Sequence, residues 1–341
     1  VPAKFFVRSA LTGGIFIAAA LAFPAATSSD PGPVTGNCPN DAVIARVDAA
    51  AVYSDARGSV VDPAKLHLHE QQILPLRNFV TDASRRADSS DRAEQECALR
   101  MMLDWAKNGA METPPTDFGG PRELERFGIS LNIIALKLRA DGLNIDPLVG
   151  WLGDLNRMVT ARFRTRGRVD NLYVWSGVAA ASYALLSGDG AARRYANDVW
   201  LDGVAAIRPD GFVDSELRRG SRALLYHVYN LSALLTLRAF RNAMGDSISD
   251  SDQASLMRLI DRVGDSLCDP ASIAAASGSA TQEKTPAMEF APIVAFAGNS
   301  GGPHFLGCAP ADVPKSDPIL GGQFDRTVAI LANSRNPAHG R

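Results

Sequence analysis

The chain has 341 residues, enough for one large domain or two ordinary ones with a sizeable core. Its formal net charge of −2 and pI of about 6.2 exclude a global field that would draw it to nucleic acid or to an anionic membrane. Hydrophobic residues make up 46% but aromatic ones only 7%, and alanine and leucine carry much of the apolar content, which favours helices over strands.

Lys4 and Arg8 precede an apolar stretch from Ala10 to Ala22, and small residues follow in "FPAATSSD". That order reads as a secretory signal peptide over residues 1–26, with cleavage expected between Ala22 and Ser28. The apolar run is too short to span a bilayer comfortably, and no second hydrophobic span follows. The mature chain is therefore expected to be periplasmic or secreted, without stable membrane insertion. Residues 27–42, rich in Pro, Gly and small polar side chains, read as a linker, and 43–341 as one domain.

Helical segments then alternate with short breakers. "HEQQILPLRNFVTDASRR" is one segment, interrupted by Pro75; "RAEQECALRMMLDWAKNG" has clear 3.6-residue periodicity and ends at Gly109. "ELERFGISLNIIALKLRADG" ends at Gly142, and "PLVGWLGDLNRMVTARFR" opens with Pro147 in a first turn. "NLYVWSGVAAASYALLSGDG", "AARRYANDVWLDGVAAI" and "SDQASLMRLIDRVGDSL" continue the series, and no run alternates with period two. Residues beyond 269 read as long loops around one more helix near 286–298. The fold class is all-α, with helices joined by short loops into antiparallel hairpins.

Cys38, Cys97, Cys268 and Cys308 can form up to two disulfides in an oxidising compartment, with three connectivities open. Cys97 lies in a helical run, where a buried thiol is an equal alternative. No metal is expected, because the cysteines are widely spaced and His67-x-His69 alone is a weak metal signal. The two histidines are expected to be exposed at a helix start.

Chemistry gathers in "ELRRGSRALLYHVYNLSALL", residues 216–235. Arg219, Arg222, Tyr226 and Tyr229 are spaced by three, four and three, which stacks them on one face of a helix starting at Asp214–Glu216. An arginine beside a tyrosine stabilises its phenolate and makes it a usable base and, afterwards, acid. His227 sits about 100° round the helix from Tyr226 and faces away. Arg157, Arg162, Arg164, Arg166 and Arg168 could draw in a polyanion or form a solvated helix end.

The run "DGFVDSELRRGSRALLYHVYNL" resembles the signature helix of the periplasmic alginate lyases, in which a DGF turn leads to Arg-Ala-Leu-x-Tyr-His-x-Tyr. Upstream, Asp170-Asn171-Leu172-Tyr173-Val174-Trp175 is similar to that family's Asn-Asn-His-x-x-Trp, and the 54 residues from Leu172 to Tyr226 match its interval. The resemblance runs over roughly residues 50–310 and implies an (α/α) toroid, or incomplete barrel, of helix hairpins. It further implies Tyr226 as the catalytic tyrosine and Arg219, with Asn171, facing the substrate carboxylate. Trp175, Tyr229 and Arg222 would line the saccharide subsites.

The implied reaction is β-elimination on a uronic-acid polysaccharide, alginate or a related polymer, by a monomer without cofactor. Two departures suggest altered specificity: Leu172 stands where the family has histidine, and the family's Lys-Tyr-Glu segment falls on Asp55-Ala56-Arg57, before Gly58-Ser59. The replacement at Leu172 also allows a non-catalytic polysaccharide-binding protein serving exopolysaccharide biosynthesis or export. A glycoside hydrolase would need two acids across a cleft, for which Asp214 and Glu216 are the obvious carboxylates.

Overall fold

Aspartates open many of the helices by accepting hydrogen bonds from first-turn amides, which have no partner within the helix. The computed structural model describes residues 38–39, 42–117, 119–165, 167–297 and 308–334; the expected signal peptide and most of the expected linker lie outside these. Asp62 caps α1 (Pro63–Ala87), Asp91 caps α2 (Arg92–Lys107), Asp170 caps α5 (Asn171–Ser187) and Asp189 caps α6 (Gly190–Ala205). Prolines in the first turn open α3 (Gly120–Ala140) and α4 (Asp146–Arg164). Pro75 does not interrupt α1: Ile73, Leu76, Phe79 and Val80 bury one side of the helix on both flanks of the proline. That apolar burial outweighs the one missing backbone hydrogen bond.

Short loops return each helix beside its predecessor, giving hairpins α1–α2, α3–α4 and α5–α6, and then α8 (Ala223–Ala243) with α9 (Asp250–Cys268). The alanine-rich α5 is the hub, packed by α3, α4, α6 and α8. Its small side chains permit close approach: a Cβ on Gly177 would lie 2.6 Å from Val199 of α6. Phe79 stacks on Trp105 at 3.6 Å between α1 and α2. The result is an α/α toroid.

Beyond α9 lie two short helices, α10 (Ala271–Ala276) and α11 (Ala291–Phe296), the latter preceded by a 3-10 turn at Ala287–Phe290 where one longer helix was expected. A two-residue hairpin, Ser316–Asp317 with Gly322–Gln323, and α12 (Phe324–Ser334) close the described chain, none of them foreseen. Lys137 holds this end in place. Its buried ammonium donates to Asp88 (2.7 Å) and to the carbonyls of Gly321 (2.7 Å) and Gln323 (3.0 Å), and its burial lowers its pKa. The disulfides are Cys38–Cys97 and Cys268–Cys308, so Cys97 is bridged. No described helix is long and apolar enough to cross a membrane.

Candidate active site

The turn Arg208–Val213 leads into the site. Arg208 N–H donates to Phe212 O at 2.9 Å, and Gly211 takes the left-handed conformation (φ 83°) that the turn needs. The four-residue helix α7 (Asp214–Leu217) follows, but it does not run on into α8 as the spacing predicts. Gly220 turns left-handed (φ 58°), and a 3-10 turn at Gly220–Arg222 joins the two. Arg219 and Arg222 therefore sit on the connection and Tyr226 and Tyr229 on α8, yet the four still converge. The Arg219 guanidinium lies 4.2 Å from the centre of the Tyr226 ring, Arg222 lies 5.9 Å from it, and Tyr229 meets it edge-on at 5.5 Å.

A fifth residue, Tyr53, completes this group. Its hydroxyl is 2.5 Å from that of Tyr226 and accepts from Arg222 Nη1 at 3.0 Å. Tyr53 stands at the base of a small loop closed by pairing with Val61; Asp55 shapes the tip by accepting from Ser59 N–H, Ser59 O–H and Val60 N–H. Desolvation raises the Asp55 carboxyl, but these bonds together outweigh it and hold it down at about 2. The tip lies on Arg219, whose Nη1 donates to Arg57 O at 2.8 Å. Gly58 is required there: its φ is 67°, and a Cβ would fall 2.1 Å from that same nitrogen. The segment Asp55-Ala56-Arg57-Gly58-Ser59, which suggested a missing tyrosine, thus supplies one just upstream. Tyr53 was missed because its only sequence signal is an aromatic residue before a Gly-Ser turn.

Electrostatics around the pair is divided. Burial and the neighbouring Tyr53 push the Tyr226 phenol up from its ordinary value, while Arg219 and Arg222 pull it down. Burial and then Glu289, which accepts from Tyr229 O–H at 3.2 Å, raise Tyr229 strongly. Glu289 itself is pushed up to about 7 by burial. On the far side, Arg122 donates to Glu123 (2.6 Å) and to His69 (3.2 Å). His69, expected to be exposed, is 3% exposed and also bonds Ala50 O at 2.8 Å, whereas His67 is exposed as expected.

The other expected site residues are placed differently. Asn171 is buried; its backbone N–H donates to Glu216 at 2.7 Å and its Nδ2 reaches both carboxylate oxygens at 3.2 and 3.3 Å. Burial and the nearby Asp170 push Glu216 up to about 7. Asn171 therefore ties the start of α5 to α7 through Glu216. Trp175 and Leu172 are half-buried against the main core, and Trp175 makes no ring contact with the tyrosines among the described residues. Asp214 is exposed and pairs with Arg208, so it and the buried Glu216 do not form the two-acid arrangement of a hydrolase.

His227 faces away as expected: Nδ1–H donates to Ala223 O, Nε2 accepts from Val213 N–H, and burial lowers its pKa to about 4. In the upstream arginine series, Arg157 pairs with Asp154 and Arg168 with Asp170, Arg162 and Arg164 are exposed, and Arg166 lies outside the described residues. Among the described residues no cluster of three or more His, Cys, Asp or Glu could hold a metal ion.

The alginate lyase family model matches residues 145–273, which carry Asn171, Arg219, Arg222, Tyr226 and Tyr229. Over these residues the chain is similar to the alginate lyase family. A polysaccharide lyase of Stenotrophomonas maltophilia is 28% identical over 238 residues, 66% of this chain and 71% of that one. An alginate lyase of Pseudomonas syringae pv. tomato is 26% identical over 221 residues, 61% of this chain but only 58% of its own length. The crystal structure of alginate lyase A1-III from Sphingomonas species A1 superimposes with a TM-score of 0.64 at 18% identity, covering 87% of this chain and 88% of that one. A tyrosine-to-phenylalanine variant of A1-III, solved with a tetrasaccharide, gives 0.68 at 17% identity, with coverage of 87% and 88%.

Proposed function

We propose that this protein is a polysaccharide lyase of the alginate lyase family that cleaves beside a uronic acid by β-elimination and works in the periplasm or outside the cell. The observation that carries the reading is the Tyr53–Tyr226 hydroxyl pair flanked by Arg219 and Arg222. Elimination needs the uronate carboxylate neutralised, so that the C5–H bond becomes acidic. A base must take that proton, and an acid must protonate the glycosidic oxygen as the C4–O bond breaks and the C4–C5 double bond forms. Arg219 has the reach and the charge for the carboxylate.

Tyr226, held by its packing on Tyr229, serves as base and then as acid. Tyr53 shares its proton, and the two guanidiniums favour the phenolate against the cost of burial. Asn171 takes a supporting role, through Glu216, in fixing the segment that carries Arg219. The substrate is an anionic polysaccharide of the alginate type with altered preference, consistent with Leu172 on the core side of α5. The test is a screen of the full chain against several polyuronates for unsaturated, ultraviolet-absorbing ends. Such ends are expected with at least one polymer; saturated reducing ends alone would mean hydrolysis and refute the mechanism.

A further inference from the structure

Two guanidiniums touch the tyrosine pair, and they differ in what else they meet. Arg219 donates to a neutral backbone carbonyl, Arg57 O, and among the described residues no carboxylate lies within ion-pair distance of it. Arg222 lies 5.3 Å from the centre of the Tyr53 ring with its side chain 12% exposed, and its Nε is 3.3 Å from Glu283 Oε2. The contact neutralises charge without consuming the donor: Nε is buried and has no hydrogen-bond partner in the protein.

Glu283 is held there firmly. Its N–H donates to Ser221 O at 2.7 Å, and Ser221 O–H donates to its Oε1 at 3.3 Å. The adjacent Gln282 accepts from Leu224 N–H (2.9 Å) and donates to Gly220 O (3.0 Å), so this loop is fastened on both sides of Arg222.

We propose that Glu283 sets the charge spacing of the saccharide: it neutralises Arg222, so that Arg219 holds one uronate while the neighbouring sugar bound at Arg222 is uncharged. A neutral sugar beside Arg222 brings no charge to this ion pair, whereas a second carboxylate there meets that of Glu283 and is repelled. The favoured substrate class is then a polymer in which uronates alternate with neutral sugars, rather than a run of contiguous uronates. This rests on the lyase reading for the polymer's identity but not for its binding.

The test compares wild type with Glu283→Gln and Glu283→Asp on two probes, polymannuronate and a strictly alternating polymer of glucuronate and N-acetylglucosamine. Binding is measured in a Tyr226→Phe background and product formation in the active chain. Glu283 is 49% exposed and its pairing is screened by solvent. Glu283→Gln is therefore expected to shift the binding ratio toward polymannuronate on the order of fivefold at low salt, and less at high salt. Glu283→Asp, which keeps the charge, should hold the wild-type ratio. A ratio unchanged in Glu283→Gln, or moved equally by Glu283→Asp, overturns the proposal. A shifted ratio in a protein that forms no unsaturated ends upholds it and removes the lyase reading instead.

Discussion

Glutamine in place of Glu216 tests the electrostatics behind the site. The carboxyl is fully buried and its pKa moves from an ordinary 4.5 to about 7. A carboxyl raised on folding favours the protonated native state, so its contribution is complete below the unfolded pKa and is lost as pH rises through the folded one. The whole shift corresponds to about 3.4 kcal/mol, of which about 2.5 kcal/mol falls between pH 5 and pH 8. Other groups titrate in that window; His227, lowered to about 4, acts with the opposite sign. The informative quantity is therefore the difference between variant and wild type. Glu216→Gln also turns an amide toward Asn171 Nδ2, a pH-independent cost of about 1–3 kcal/mol. Urea unfolding at the two pH values separates offset from slope. The variant should lose about 2.5 kcal/mol less than wild type on going from pH 5 to pH 8. An identical pH dependence in the two proteins would mean that Glu216 is not held in its neutral form.

Tyr226→Phe keeps the ring's packing on Tyr229 and Arg219 but removes the hydroxyl shared with Tyr53, so turnover should fall by roughly a thousandfold or more. Its stability should change by only about 1 kcal/mol, read from a melting curve; turnover that survives this change would remove Tyr226 from the chemistry. Replacing both Cys38 and Cys97 by serine opens a loop closed across a sequence separation of 59 and should cost about 4 kcal/mol of stability. Denaturant unfolding under non-reducing conditions checks this, and an unchanged midpoint would show that the bridge contributes nothing to the native state.

Residues a few positions apart had already pointed to much of the site. Arg219, Arg222, Tyr226 and Tyr229 are brought together by helical spacing, and they remain together although Gly220 breaks the helix between them. The 3.6-residue period of "RAEQECALRMMLDWAKNG" and the breakers at Gly109 and Gly142 likewise predicted helices, since periodicity and helix stops depend on neighbours within a turn or two. Tyr53 is 173 residues from Tyr226, and Glu283 is 61 residues from Arg222; no local pattern marks either as a partner. Their positions follow from how the first loop and the segment after α10 pack on the hairpins. The same is true of Glu216, whose sequence context reads as an exposed helix start and whose burial against Asn171 depends on α5 lying behind α7. Helix, cap and spacing were set by short-range backbone geometry. The paired hydroxyls, the buried carboxyls and the choice of disulfides were decided only by tertiary packing, because convergence of distant side chains costs loop closure that only the assembled core repays.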